Sequence, residues 1–102
     1  MGTTYIRPSN NTYTIYTKSN CKYCEKTKEL LRDQEKAPLI INCDSYLQND
    51  KEHFLQFIKT LTNKNHRTFP IVFVNGLFIG GYNETQQYHR LSSANSVTAG
   101  HQ

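Results

Sequence analysis

No stretch of this chain approaches the ~20 consecutive apolar residues that would cross a bilayer, and no charged-then-apolar leader opens it. The expectation is a soluble protein made and kept in the cytoplasm, without a membrane partner. Cysteine is scarce: there are three, an odd count, with no spacing that suggests a disulfide framework. A reducing compartment with a catalytic or metal-binding pair fits that usage better than secretion does. A strong excess of one charge is also missing. Twelve Lys and Arg against eight Asp and Glu leave a net charge of +4, and a nucleic-acid binder would gather such an excess into one dense stripe. Lys18, Lys22, Lys26, Lys28 and Arg32 do cluster, but Glu25, Glu29 and Asp33 interleave with them. The alternation reads as a solvated helix face, of which Lys18 and Lys22 alone need serve an anionic substrate. There is no internal repeat and no low-complexity block.

What is present fits one small domain. A chain of 102 residues has room for a single modest core. Residues 1–11 and 92–102 carry few apolar side chains and no clear period, so they read as loosely held ends around a domain at 12–91. Thr12 to Thr17 is β-branched and aromatic, the composition of a strand. Ser19 and Asn20 follow as cap-type residues, and Lys26 to Gln34 is rich in helix formers, with Thr27, Leu30, Leu31 and Gln34 on one face. Ala37-Pro38 breaks that helix, and Leu39-Ile40-Ile41 makes a second strand ending near Cys43. Phe54, Leu55, Phe57, Ile58 and Leu61 have the spacing of a helix over about Asp50 to Leu61. Ile71 to Val74 and Leu77 to Ile79 flank Asn75-Gly76, the strongest short hairpin signal, and Asn83 to Leu91 reads as a last short helix with Tyr88 and Leu91 inward. The order βαβαββα predicts an α/β fold: a small mixed four-stranded sheet, with a parallel crossover first, an antiparallel hairpin later and helices on both faces.

Cys21-Lys22-Tyr23-Cys24 sits where the first strand hands over to the first helix. The first N–H groups of a helix lack internal partners, and partial positive charge gathers there. A thiolate at that end is stabilised, so the Cys21 pKa should fall below the free value of roughly 8.5. A free thiol is only about 3% ionised at pH 7, so full ionisation gains roughly thirtyfold in thiolate, and the lower pKa also makes the sulfur a better leaving group. The two-residue spacing brings Cys24 within reach one turn below. Cys21 is thus the exposed attacker and Cys24 the buried resolver. A structural zinc site would need a second ligand pair, and Cys43, His53, His66, His89 and His101 do not supply metal-ligand spacing. No resident metal is expected. Cys43 reads as a small apolar filler and the histidines as surface residues.

Lys18, Cys21-Lys22-Tyr23-Cys24, Arg67-Thr68-Phe69-Pro70 and Gly80-Gly81-Tyr82-Asn83-Glu84, in that order and spacing, resemble a dithiol glutaredoxin over about Thr12 to Leu91. The resemblance implies a thioredoxin-like fold and a glutathione-dependent thiol–disulfide oxidoreductase. Its reducing co-substrate would be glutathione, and its substrates glutathionylated or disulfide-bonded proteins. It implies that Pro70 is cis beside the attacking sulfur, leaving backbone of Thr68 or Phe69 to pair with a bound peptide. Lys18 and Arg67 would take the glycine carboxylate of glutathione. The helix opening after Gly81, with Tyr82 and Asn83, would cradle the γ-glutamyl carboxylate, Glu84 would meet the ligand amine, and Tyr23 would flank the cleft. Three positions depart from the family pattern: Phe69 stands where valine is usual, Glu84 where aspartate is, and Lys22 where many members have proline. Lys22 is expected to tune the thiolate downward. Loss of that proline accompanies, in some relatives, an iron–sulfur cluster held across two subunits with glutathione, for which Cys21 would be the protein ligand. That cluster-carrying module is one alternative. A thioredoxin-like reductase served by a flavoprotein is a second, and a non-catalytic binding protein a third; the expected state is a monomer.

Overall fold

The computed structural model describes residues 4–100, with side chains for 4–92. Its elements are β1 (Tyr13–Thr17), α1 (Lys22–Leu30), β2 (Leu39–Asn42), α2 (Asp44–Thr62), β3 (Ile71–Val74), β4 (Leu77–Gly80) and α3 (Tyr82–Gly100). The strands form one sheet in the order β2-β1-β3-β4. β1 pairs in parallel with β2, while β1–β3 and β3–β4 are antiparallel. The mixed sheet expected from the element order is therefore the one observed.

Period-two alternation sends successive side chains to opposite faces. Ile15 and Val72 pack with Tyr13 and Leu31 on the α1 side. Tyr16, Ile71 and Phe73 pack with Phe54 and Ile58 of α2 on the other. All five residues of β1 are buried, as a central strand covered on both faces requires. The β3–β4 turn uses Asn75 at φ 51 and Gly76 at φ 85, the left-handed pair that a tight hairpin demands.

Four details differ from the sequence expectations. The N-terminal segment is not loosely held at Tyr5, whose buried ring packs edge-on against Tyr46 and Phe54 and whose hydroxyl is hydrogen-bonded to His53 Nδ1 at 2.6 Å. One aromatic residue suffices to seat a segment that is otherwise polar; Met1 to Thr3 lie outside the described residues. Helix α1 begins at Lys22, directly after Cys21 as the strand-to-helix reading requires, but α2 begins at Asp44 rather than Asp50. Asp50 nevertheless marks a real boundary. Its backbone leaves helical values (φ −160, ψ 89), and its carboxylate accepts from His53 N–H at 3.1 Å, capping the second half of α2. Helix α3 runs on to Gly100, past the short helix expected to end at Leu91. Its inner face is only partly the expected one: Tyr88 touches Tyr13 by its edge, but Leu91 is 56% exposed and Thr85 is the fully buried side chain.

Candidate active site

The loop from β1 to α1 is held at two points. Asn20 takes a left-handed φ of 57. Ser19 donates to the Asp44 carboxylate through both its N–H (2.9 Å) and its hydroxyl, tying the loop to the start of α2. These bonds hold the Asp44 carboxyl below its ordinary range. The expected caps, Ser19 and Asn20, do not cap α1. Cys21 does: its sulfur accepts from the Cys24 N–H at 3.2 Å. A sulfur so placed faces the unpaired N–H groups of the first turn, the arrangement that stabilises a thiolate.

Cys21 and Cys24 are joined by a disulfide with their Cα atoms 5.2 Å apart. Cys24 is fully buried and Cys21 half-buried at the rim. The Phe69–Pro70 peptide bond is cis, and the Phe69 carbonyl oxygen stands 3.7 Å from Cys21 Sγ. Cys43 is free and fully buried, and burial pushes its thiol up to about 12, out of reach of thiolate chemistry at neutral pH.

Two grooves share Thr68 and Phe69 as a common wall. One, of about 360 Å³, is lined by Tyr23 and Tyr82, by His66 and Pro70, and by Gly81, Asn83 and Glu84 at the start of α3. The second, of about 340 Å³, gathers Lys18, Lys51 and Arg67 around Phe69 and Leu47. The glutathione-binding residues singled out from sequence thus fall into a polar groove at the start of α3 and a cationic one beside α2, while Cys21 and Cys24 line neither and Cys21 meets them only through the Phe69 carbonyl. Lys22 lies in neither and is exposed. His66, Lys51 and Leu47 escaped the sequence reading. A lysine and a leucine in a helix, and a histidine in a polar loop, carry no local signal of what they face.

The charged groups have definite partners. Lys18 Nζ sits 5.9 Å above the Phe69 ring, a cation–π contact. Arg67 donates to Glu52 at 2.6 Å, which holds the Glu52 carboxyl below and the guanidinium above their ordinary ranges. Lys26 lies over both Tyr23 (5.4 Å) and Tyr82 (5.8 Å), joining two rings 5.6 Å apart into one wall. Glu84 reaches back three residues to accept from the Gly81 N–H at 2.9 Å, half of a capping box for α3. Further along α1, Lys28 pairs with Glu25, and Arg32, just past the helix end, pairs with Glu29. The histidines are more engaged than a surface reading allows. His66 is half-buried, His89 bonds Gln34 at 3.1 Å and His53 bonds Tyr5; His101 lies outside the described residues. Among the described residues, no three His, Cys, Asp or Glu side chains come together as a metal site.

The chain has close likenesses among known proteins. It is 35% identical over 83 residues to the mitochondrial glutaredoxin-2 of Rattus norvegicus, covering 80% of this chain and 50% of that protein. To the monothiol glutaredoxin-S6 of Oryza sativa it is 32% identical over 80 residues, covering 78% and 58%. It spans about half the length of the curated relatives it matches. Among solved structures, the dithiolic glutaredoxin 2-C-Grx1 of Trypanosoma brucei brucei superposes with a TM-score of 0.66 at 23% identity, covering 84% of each chain. The buckwheat glutaredoxin–glutathione complex gives 0.64 at 26%, covering 80% of this chain and 71% of that one. The fold around the two cysteines is thus the thioredoxin-like one. With the glutaredoxin family model matching residues 13–79, the chain belongs to the glutaredoxin family.

Proposed function

We propose that this protein is a thiol–disulfide oxidoreductase that uses glutathione to reduce glutathione mixed disulfides and protein disulfides. The observation that carries the reading is the position of the Cys21 sulfur. It caps α1 and lies 3.7 Å from the Phe69 carbonyl, at the wall shared by a cationic and a polar groove. Glutathione offers a carboxylate at each end and a thiol between, which matches that layout. Lys18 and Arg67 suit its glycine carboxylate. The backbone of Thr68 and Phe69, beside Pro70, suits its peptide. The N–H groups opening α3 at Gly81, Tyr82 and Asn83 suit its γ-glutamyl carboxylate. Glu84 already spends one oxygen on Gly81, so the other is left for the ligand amine. Tyr23 bounds access to the sulfur.

In the reaction, the Cys21 thiolate attacks the glutathione sulfur of a mixed disulfide. The protein thiolate leaves, and glutathione stays bonded to Cys21. A second glutathione thiolate then attacks that glutathionyl sulfur, releasing oxidised glutathione and restoring the Cys21 thiolate. With a protein disulfide, Cys21 first forms a mixed disulfide with one substrate sulfur. Deprotonated Cys24 then attacks Cys21, expelling the reduced substrate and leaving the internal bridge, which two glutathiones reduce. Cys24→Ser is expected to keep removal of glutathione from proteins but lose reduction of protein disulfides, measured with glutathione, glutathione reductase and NADPH. Cys21→Ser should abolish both, and retention of either activity by that variant contradicts the assignment.

A further inference from the structure

His66 has no assigned part in the reaction above, yet it lines the groove at the start of α3. Its Nε2 is buried without a hydrogen-bond partner, the one buried side-chain nitrogen or oxygen in that condition among the described residues. Such groups in folded proteins are nearly always matched by protein, water or ligand. The ring stands edge-on to Phe78, centroids 5.2 Å apart. Its Cε1 lies 3.8 Å from the place a Cβ on Gly81 would occupy, with the Pro70 carbonyl oxygen and Glu84 Oε1 each 3.6 Å from that same point. The missing Cβ therefore leaves a small polar space at the N-cap of α3, and the imidazole edge borders it. A half-turn of the ring exchanges Nε2 with Cε1, keeps the packing on Phe78 and sets a nitrogen on that space; the two orientations fill nearly the same volume.

We propose that His66 is a specificity-determining residue, donating an imidazole N–H to the γ-glutamyl carboxylate of bound glutathione. The inference rests on the glutathione reading of the site. A carboxylate is the fitting partner because the neighbouring backbone N–H groups open a helix, where negative charge is favoured. The imidazole carries at least one N–H in either protonation state, and only its orientation decides which nitrogen serves. Glu84 has its own partners, the Gly81 N–H at Oε1 and the ligand amine at its other oxygen.

The test compares one peptide carrying glutathione in mixed disulfide linkage with the same peptide carrying cysteinylglycine, which lacks the γ-glutamyl unit. H66F keeps an aromatic ring on Phe78 but removes both nitrogens, and H66Q restores a donor. H66F is expected to raise KM for the glutathionylated peptide about fivefold, the scale of one lost hydrogen bond. Its kcat, and its KM for the cysteinylglycine peptide, should stay at wild-type values, and H66Q should recover most of the preference. An H66F protein that keeps the wild-type preference, or that is impaired equally on both peptides, overturns the inference. If the wild-type protein itself shows no preference for the glutathionylated peptide, the glutathione reading fails instead. A measurement that needs no substitution stands beside these: imidazole nitrogen NMR of the Cys24→Ser protein, before and after Cys21 is joined to glutathione. The His66 signals should move on joining, and unmoved signals overturn the proposal.

Discussion

Cys21 and Cys43 are the same side chain in two settings, and the settings decide their chemistry. Cys43 is sealed in the core next to Asp44, and burial pushes its thiol up to about 12. Cys21 stands at a helix start, where an N–H group meets the sulfur. Its pair with Cys24 was legible because two residues of spacing and a strand-to-helix junction are both local facts. We propose that Lys22 extends the same reasoning, its exposed ammonium one residue away adding positive potential at the thiolate. Replacing Lys22 with Met should raise the Cys21 pKa, read by titrating thiolate absorbance in the reduced protein. An unchanged midpoint would remove Lys22 from the account. His66 and Lys51 show where residue-level reading stops. Nothing in Asn65-His66-Arg67 tells that the imidazole turns back onto Phe78, because that contact is made by a residue twelve positions away on another element.

At the scale of the element, helix ends were the least legible feature. Cys21 caps α1 with sulfur, a role that cap preferences assign to Ser and Asn. Residues Asp44 to Gln48 add a turn to α2 without an apolar period of their own, because their place is set from outside by the Ser19–Asp44 tie and the Cys43 core contact. That tie has a testable pH signature. The Asp44 pKa in the folded protein lies below its usual 3.8, chiefly through the two Ser19 bonds. A group depressed in this way contributes stability above its unfolded pKa and loses it as pH falls through the folded one. Asp44→Ala should therefore melt lower than wild type near neutral pH, and the two melting temperatures should converge between about pH 5 and pH 2. Parallel acid branches would show that the Ser19–Asp44 contact adds nothing to stability.

Across the whole molecule, the strand and helix order was readable because each apolar run had one clear period, and that order leaves few topologies for a sheet of this size. The placement of the segment before β1 was not readable. Tyr5 meets Tyr46, Phe54 and Phe57 across α2, and the Tyr16 hydroxyl donates to the Ile6 carbonyl at 2.6 Å, so the segment straps the α2 face of the sheet. A lone aromatic in a polar stretch has no period to reveal it. The same long-range geometry brings Lys18, Lys51 and Arg67 from three parts of the chain to one cationic groove against Phe69, whose carbonyl stands beside Cys21. The central claim is that Cys21 is the sulfur that carries glutathione. It is tested most directly by incubating reduced Cys24→Ser with oxidised glutathione and mapping the modified peptide by mass spectrometry. The account predicts one glutathionyl group, on Cys21, removed again by added glutathione. A protein left unmodified, or one modified at Cys43 instead, would contradict it.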